Sequence, residues 1–337
     1  MDELAESLPS VVSSGDVFLV DETVLHLHRN RLSNSVPIDR IIQIQASETS
    51  KSYYELGATI KDLINTGFSK PSRLVAIGGG VIQDICSFIA SILFRGVEWI
   101  FCPTTLLAQG DSCIGGKSSV NFAGYKNLLG SFRPPSMIFI DTGFLKTLPA
   151  DQIASGLGEI LHFLVYSSEQ DFKFMADNLD RFRLDMEMMQ ALILKSLTIK
   201  KTVVEQDEFD IGPRQLFNYG HSFGHALEAV TEYGIPHGIA VCFGMDIANY
   251  LSEAIDLTPV DFRTRVKRIT EELWRGYSIK DINRTQFFDA LRKDKKNIGN
   301  QVNVILTRGF GQMFKTSIDI DGREGEMIDH YFDNEVF

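Results

Sequence analysis

No stretch of this 337-residue chain stays apolar for the roughly 20 residues that a bilayer crossing needs, so no membrane span is expected. Positive charge is also short. The chain has 33 lysines and arginines against 44 aspartates and glutamates, a formal net charge of -11. A field of that sign argues against nucleic-acid and anionic-membrane partners. Any anionic ligand must then be held by cations gathered locally. Cysteine is scarce too: Cys86, Cys102, Cys113 and Cys242 are scattered and form no C-x-x-C pair. Reduced thiols in a cytoplasmic protein are the plain expectation. Met1 to Pro9 is acidic, with no basic flank and no apolar core, so no signal or transit peptide is expected. Internal repeats and low-complexity tracts are lacking as well.

What is present reads as two halves. In the first, Val17 to Val20, Arg73 to Ile77, Glu98 to Cys102 and Met137 to Ile140 are short apolar strands, and helical patterns such as Gln83 to Leu93 lie between them. Strands alternating with helices predict an α/β domain on a parallel sheet. From Asp151 to about Leu291 helical periodicity takes over. A single short strand, Val302 to Leu306, comes late. The boundary is expected near Leu148-Pro149, giving domains 1–149 and 150–337, with the active site in the cleft between them.

Several segments carry candidate chemistry. Leu74 to Ile77 runs into Gly78-Gly79-Gly80 and then a helix. Glycines let a backbone approach a phosphate, and the helix start offers free N–H groups and a positive dipole end. The pattern is not G-x-G-x-x-G, and a ligand-free turn explains it equally well. Thr104 and Thr105 end the next strand, where hydroxyls either meet a ribose or phosphate or cap a turn. Asp111 to Lys117 is glycine-rich, with Asn121, Lys126 and Asn127 close behind; so polar a cluster is hard to explain as core, and a solvated loop is the alternative.

The strongest local signal is Asn218-Tyr219-Gly220-His221-Ser222-Phe223-Gly224-His225, followed by His237. His221 and His225 are four apart and share a helix face. A catalytic zinc site wants three protein ligands and one open position. A carboxylate from elsewhere could be the third. Glu159 is a candidate, because a charge inside the apolar stretch Leu157 to Val165 needs a partner. Histidines satisfied by hydrogen bonds alone are the alternative. Arg95, Lys200, Arg214, Lys295 and Lys296 stand beside polar signals, although each by itself reads as a solvated charge.

In this order the segments resemble the dehydroquinate synthase family, the sugar phosphate cyclases. The resemblance runs from about Ala46 to Gly311 and includes Gly78 to Asp84, Arg95-Gly96, Pro103 to Leu107, Asp111 to Lys117, Lys126-Asn127, Leu145 to Pro149, Ser155 to Glu159, Val203 to Glu208, Asn218 to His225, His237-Gly238 and Asp294 to Lys296. It implies an N-terminal NAD-binding α/β domain and an all-helical metal-binding C-terminal domain. The metal, zinc or cobalt, would take Glu159, His221 and His237. NAD would lie on Gly78, Gly79, Gly80 and Asp84, with Thr104, Thr105 and Lys126 nearby and Glu48 and Lys51 at a ribose. Asp111, Lys117, Lys200, Arg214, Asn218 and His225 would be catalytic. Asn127, His162, Lys295 and Lys296 would contact substrate, and Arg95 would reach a neighbouring subunit's phosphate in a homodimer. The implied reaction passes a hydride from the sugar phosphate to NAD and back, expels phosphate and closes a carbocycle by an aldol step, with the substrate phosphate as base.

Some positions depart from the family pattern. His162 stands where Glu-x-x-Lys is usual, replacing a permanent cation by a group of ordinary pKa ~6.5. Ile239 replaces the glutamate of His-Gly-Glu. Pro213 stands for a common leucine, Gly158 for an alanine or acid, and Ser47 for a glycine. These changes bear on the substrate more than on the reaction class. A heptulosonate phosphate is the first expectation, carried by Arg214 and Asn218; sedoheptulose 7-phosphate and glucose 6-phosphate are the alternatives within the family. A metal-dependent polyol dehydrogenase is a second class, against which Lys117, Lys126-Asn127 and Asp294 to Lys296 argue. An inactive homologue is a third, against which Glu159, His221 and His237 argue.

Overall fold

Val17 to Val20, Leu74 to Ile77 and Trp99 to Cys102 are apolar without alternation, the pattern of strands covered on both faces. In the computed structural model, which describes residues 3–33, 36–293 and 301–336, all three runs are buried strands. The chain forms two units, Met1–Pro149 and Ala150–Phe337.

The first unit contains helices α1 (Glu3–Val11), α2 (Glu22–Leu27), α3 (Arg29–Leu32), α4 (Tyr53–Asn65) and α5 (Gly80–Ile92). Its strands are β1 (Val17–Asp21), β2 (Ile41–Ile44), β3 (Leu74–Gly78), β4 (Trp99–Pro103), β5 (Val120–Phe122), β6 (Tyr125–Leu129) and β7 (Met137–Ile138). Five of them make a parallel sheet in the order β2-β1-β3-β4-β7. The chain steps to one side from β1 and to the other from β3, so the order reverses between them. Ligands of such sheets sit beyond the carboxyl ends at that reversal. Gly78 to Gly80 lie there.

Three strands are shorter or less obvious than the sequence suggests. The expected strand Met137 to Ile140 keeps ladder geometry only over Met137–Ile138, although Phe139 N still donates to Phe101 O at 2.9 Å. β5 and β6 were not expected. They form a hairpin closed by Ala123 and Gly124, with φ 52° and 82°. Positive φ at both central positions is the hairpin turn that matches strand twist.

The second unit is helical: α6 (Ala150–Ser167), α7 (Glu169–Ala176), α8 (Met186–Val204), α9 (His221–Val230), α10 (His237–Ala254), α11 (Phe262–Leu273), α12 (Arg284–Arg292) and α13 (Arg323–Asn334). The late strand is β8 (Gln301–Thr307), paired antiparallel with β9 (Met313–Asp319), which the sequence reading missed. β9 hides because Lys315, Thr316 and Ser317 break its apolar signal.

Helix α10 is the axis of this unit, buried from Gly238 to Asn249. Its neighbours come close because glycines face them. A Cβ on Gly238 would lie 1.8 Å from Ser155 O of α6, and one on Gly244 would lie 1.9 Å from Gly220 O at the start of α9. No side chain fits either contact. The two close approaches bring the first residue of α10, the first of α9 and the middle of α6 to one place.

Candidate active site

Those three positions are His237, His221 and Glu159. Glu159 is 3% exposed, in the middle of an apolar helix. Its Oε1 lies 3.4 Å from His221 Nε2, and its Oε2 lies 3.6 Å from His237 Nε2. Oε2 accepts no hydrogen bond among the described residues. Burial alone would raise the Glu159 carboxyl. The imidazoles of His221, His162 and His237 more than reverse that and hold it well below the usual carboxylate range.

The other ring nitrogens are engaged elsewhere. His221 Nδ1 is 3.2 Å from Tyr219 O, a carbonyl that only accepts, so Nδ1 donates. His237 Nδ1 faces Glu228 Oε2 at 3.2 Å. With Nδ1 engaged on both rings, the two Nε2 atoms face the Glu159 carboxylate. Two imidazole nitrogens and a carboxylate converging in this way are the donor types of a divalent-metal site. Ligand atoms ~2.0–2.1 Å from a tetrahedral ion stand roughly 3.3–3.4 Å apart, close to the separations seen here. The donor set fits a divalent metal. Two groups of possible ligands bring their atoms within 4.8 Å of one another, Glu159 with His162 and His221, and His225 with Glu228 and His237, and the contact of Glu159 with His237 links the two.

His162 is more deeply buried than the sequence reading expects. The sequence placed it among the substrate contacts, one turn from Glu159. The turn is right, but the side chain is 0% exposed. Phe163 and Phe217 pack against the ring with centroids 4.2 and 5.9 Å away, and its Nδ1 is 3.0 Å from Glu159 O.

Lys200 and Arg214, which read singly as solvated charges, are both buried. Lys200 Nζ sits 5.9 Å from the Phe163 ring. Arg214 Nη1 donates to Glu208 O at 2.6 Å. Its loop is pinned by Asp207, whose carboxylate accepts from the backbone N–H of Ile211, Gly212 and Arg214 at 3.0, 2.8 and 3.1 Å. Asn218 Nδ2 donates to Gln215 O, and His225 lies beside His221 and His237 with part of its ring exposed. The segment with Lys295 and Lys296 lies outside the described residues.

In the first unit the nucleotide candidates also gather. Gly79 precedes α5 and offers no side-chain cap to its first turn. A Cβ on Gly79 would meet Thr105 Cγ2 at 2.8 Å, while the space beside Gly80 is open. Thr104 Oγ1 is buried and has no partner among the described residues. Lys51 Nζ donates to Asp84 Oδ2 at 3.1 Å and lies 3.6 Å from Glu48, which Lys126 also approaches at 3.5 Å. Burial raises the Asp84 carboxyl above its ordinary range, against the pull of Lys51 and Ser119. Free N–H groups, an orphan hydroxyl and a cradle without side chains fit a dinucleotide.

Asn127 has φ 51°, and its N–H donates to Asn121 Oδ1 at 2.9 Å. Asp111 is half-buried and Lys117 is exposed. Arg95 is exposed, has φ 66°, and makes no ion pair among the described residues. Sequence reasoning missed Ser119, which binds Asp84 through N at 2.9 Å and Oγ at 2.7 Å. It also missed Glu228, though the signal was available: Glu228 is seven residues after His221 and three after His225, on one helix face.

Comparison with known proteins identifies the family. Residues 41–155 match the family model for the 3-dehydroquinate synthase N-terminal domain, and 156–297 match that for the C-terminal domain. The 3-dehydroquinate synthase of Campylobacter concisus is 37% identical over 291 residues, 86% of this chain and 83% of the relative. The 2-epi-5-epi-valiolone synthase of Streptomyces hygroscopicus, solved with NAD+ and Zn2+ bound, is 25% identical with a TM-score of 0.85 over 97% of this chain and 92% of its own. A 2-deoxy-scyllo-inosose synthase structure, complexed with carbaglucose-6-phosphate, NAD+ and Co2+, shares the fold at 24% identity, with a TM-score of 0.86 over 99% of this chain and 95% of that one.

Proposed function

Because the chain belongs to the 3-dehydroquinate synthase family, we propose that it converts a heptulosonate phosphate to a carbocycle with loss of phosphate. The broader statement holds for the family: this is a sugar phosphate cyclase, an NAD- and metal-dependent lyase. The observation that carries the reading is the pair of Nε2 atoms, of His221 and His237, turned toward one buried carboxylate at 3.4 and 3.6 Å.

Glu159, His221 and His237 hold one divalent ion, zinc or cobalt, which when bound supplies Lewis acidity at a substrate oxygen. NAD, which would supply a reversible hydride acceptor, would be held by Gly78 to Gly80, Asp84, Thr104 and Thr105, with Glu48, Lys51 and Lys126 completing its site. Lys200 and Arg214, held rigidly by burial, pair with anionic groups of the substrate. Asn218 and His225 orient its phosphate, and Asp111, Lys117, Asn127, Lys295 and Lys296 complete the set. The site of action is the cytoplasm. The test is turnover on a panel of heptulosonate phosphate, sedoheptulose 7-phosphate and glucose 6-phosphate, read as inorganic phosphate. Highest kcat/KM on the first is expected. Release from only one of the others would reject the substrate while keeping the class.

His162 acts through Glu159 rather than on substrate. His162→Ala leaves a cavity behind the carboxylate and should cost about 2–4 kcal/mol of stability. It should also weaken metal binding, with the preference among the three sugar phosphates unchanged. A changed preference at wild-type metal affinity would contradict this role.

Arg95 serves the partner's site in a homodimer. It is exposed, unpaired among the described residues and held in a left-handed conformation, and a guanidinium grips phosphate through two hydrogen bonds. Mixing Arg95→Ala chains with Glu159→Ala chains should restore activity, because each mixed dimer keeps one site built from intact groups. Mixed dimers that form but stay inactive would rule out the exchange.

A further inference from the structure

Each metal-facing imidazole needs its Nδ1 proton held if its Nε2 lone pair is to point at the ion. His221 has this hold from the backbone, through Tyr219 O at 3.2 Å. His237 does not. It is the first residue of α10, its side chain is 33% exposed against 13% for His221, and the group at its Nδ1 is a side chain, Glu228 Oε2 at 3.2 Å. Glu228 is itself 14% exposed, on the same helix face as His221 and His225. One ring thus stands between two carboxylates, Glu228 at Nδ1 and Glu159 at Nε2.

We propose that Glu228 is a positioning residue for His237, accepting its Nδ1–H and thereby turning the Nε2 lone pair toward the ion held with Glu159 and His221. The proposal rests on the ligand set assigned above. A carboxylate behind a metal-bound histidine fixes the tautomer and ring angle and raises the basicity of the ligating nitrogen. An ion bound by Glu228 itself would have to take His237 through Nδ1 and would leave Glu159 Oε2 buried without a hydrogen bond among the described residues. The 3.2 Å contact is instead of hydrogen-bond length.

The experiment uses the full chain and Co2+ as probe. Wild type, Glu228→Gln, Glu228→Ala and His221→Ala are compared by chelator competition, by the visible absorption of bound Co2+ and by melting of the metal-free proteins. Glu228→Ala should still bind one Co2+ per chain, about ten- to a hundredfold more weakly, with an altered spectrum and an unchanged metal-free melting temperature. Glu228→Gln, which can still accept from Nδ1, should fall between it and wild type. Unchanged affinity in Glu228→Ala would overturn the proposal. So would complete loss of binding, which would make Glu228 a ligand, or a fall in metal-free stability that accounts for the loss. If instead His221→Ala binds Co2+ as wild type does, it is the ligand set that fails.

Discussion

Replacing His221 by alanine is expected to remove the divalent ion and stop turnover while the protein stays folded. His221 opens α9, where alanine is a good helix residue, and its ring contacts other site histidines more than it fills the apolar core. The change in stability should therefore stay within roughly 1 kcal/mol. Metal affinity has no such cushion. Two donors remain, and Glu159 Oε1 loses the partner at 3.4 Å. Lewis-acid stabilisation of several kcal/mol corresponds to a rate loss of about a thousandfold or more. Metal content per chain, phosphate release and a thermal melt check all three parts. A variant with full metal and normal turnover would contradict the assignment.

The second large effect is on stability, on the opposite side of α10. Asp246 is 1% exposed and is held by Arg263 Nε at 3.0 Å and by Tyr331 Oη at 2.9 Å. Arg263 also reaches Glu335 just past α13, at 2.9 Å. This one guanidinium ties α10, α11 and the end of the chain together. Arg263→Ala leaves a buried carboxylate with only Tyr331 and Lys267, the latter 3.6 Å away. Removing one partner of a buried pair costs about 3–5 kcal/mol. Urea denaturation should show a loss near the lower bound, since Tyr331 remains. Arg263→Ala combined with Asp246→Asn should be less damaging than Arg263→Ala alone, because no charge is then stranded. Equal losses in the two would mean that packing, not the buried charge, sets the cost.

How much of this was legible in the sequence follows from physical differences between residues. β3 and β4 read directly, because strands buried on both faces leave an uninterrupted apolar run. β9 did not, because a half-exposed strand with Lys315 and Ser317 looks like loop. The Gly78 to Gly80 turn was legible as a phosphate cradle, but nothing local separated that from an empty turn; the sheet reversal at β1 and β3 adds that distinction. His221, His225 and His237 stood out by proximity in sequence. Their convergence with Glu159 depends on glycine contacts between α6, α9 and α10, which only the packed helices reveal. Periodicity put His162 on the side of Glu159 correctly. It could not foresee that Phe163 and Phe217 would pack against the ring. Arg214 and Lys200 looked like solvated charges because burial of a cation depends on partners far along the chain.

The central claim is that the chain cyclises a sugar phosphate with NAD as a returning hydride carrier. The direct measurement supplies NAD at a small fraction of the heptulosonate phosphate concentration and follows phosphate and nicotinamide absorbance together. Many phosphates released per NAD, with no net reduced nicotinamide, is the predicted result. One reduced nicotinamide per substrate consumed, with no phosphate released, would make the protein a dehydrogenase and contradict the account.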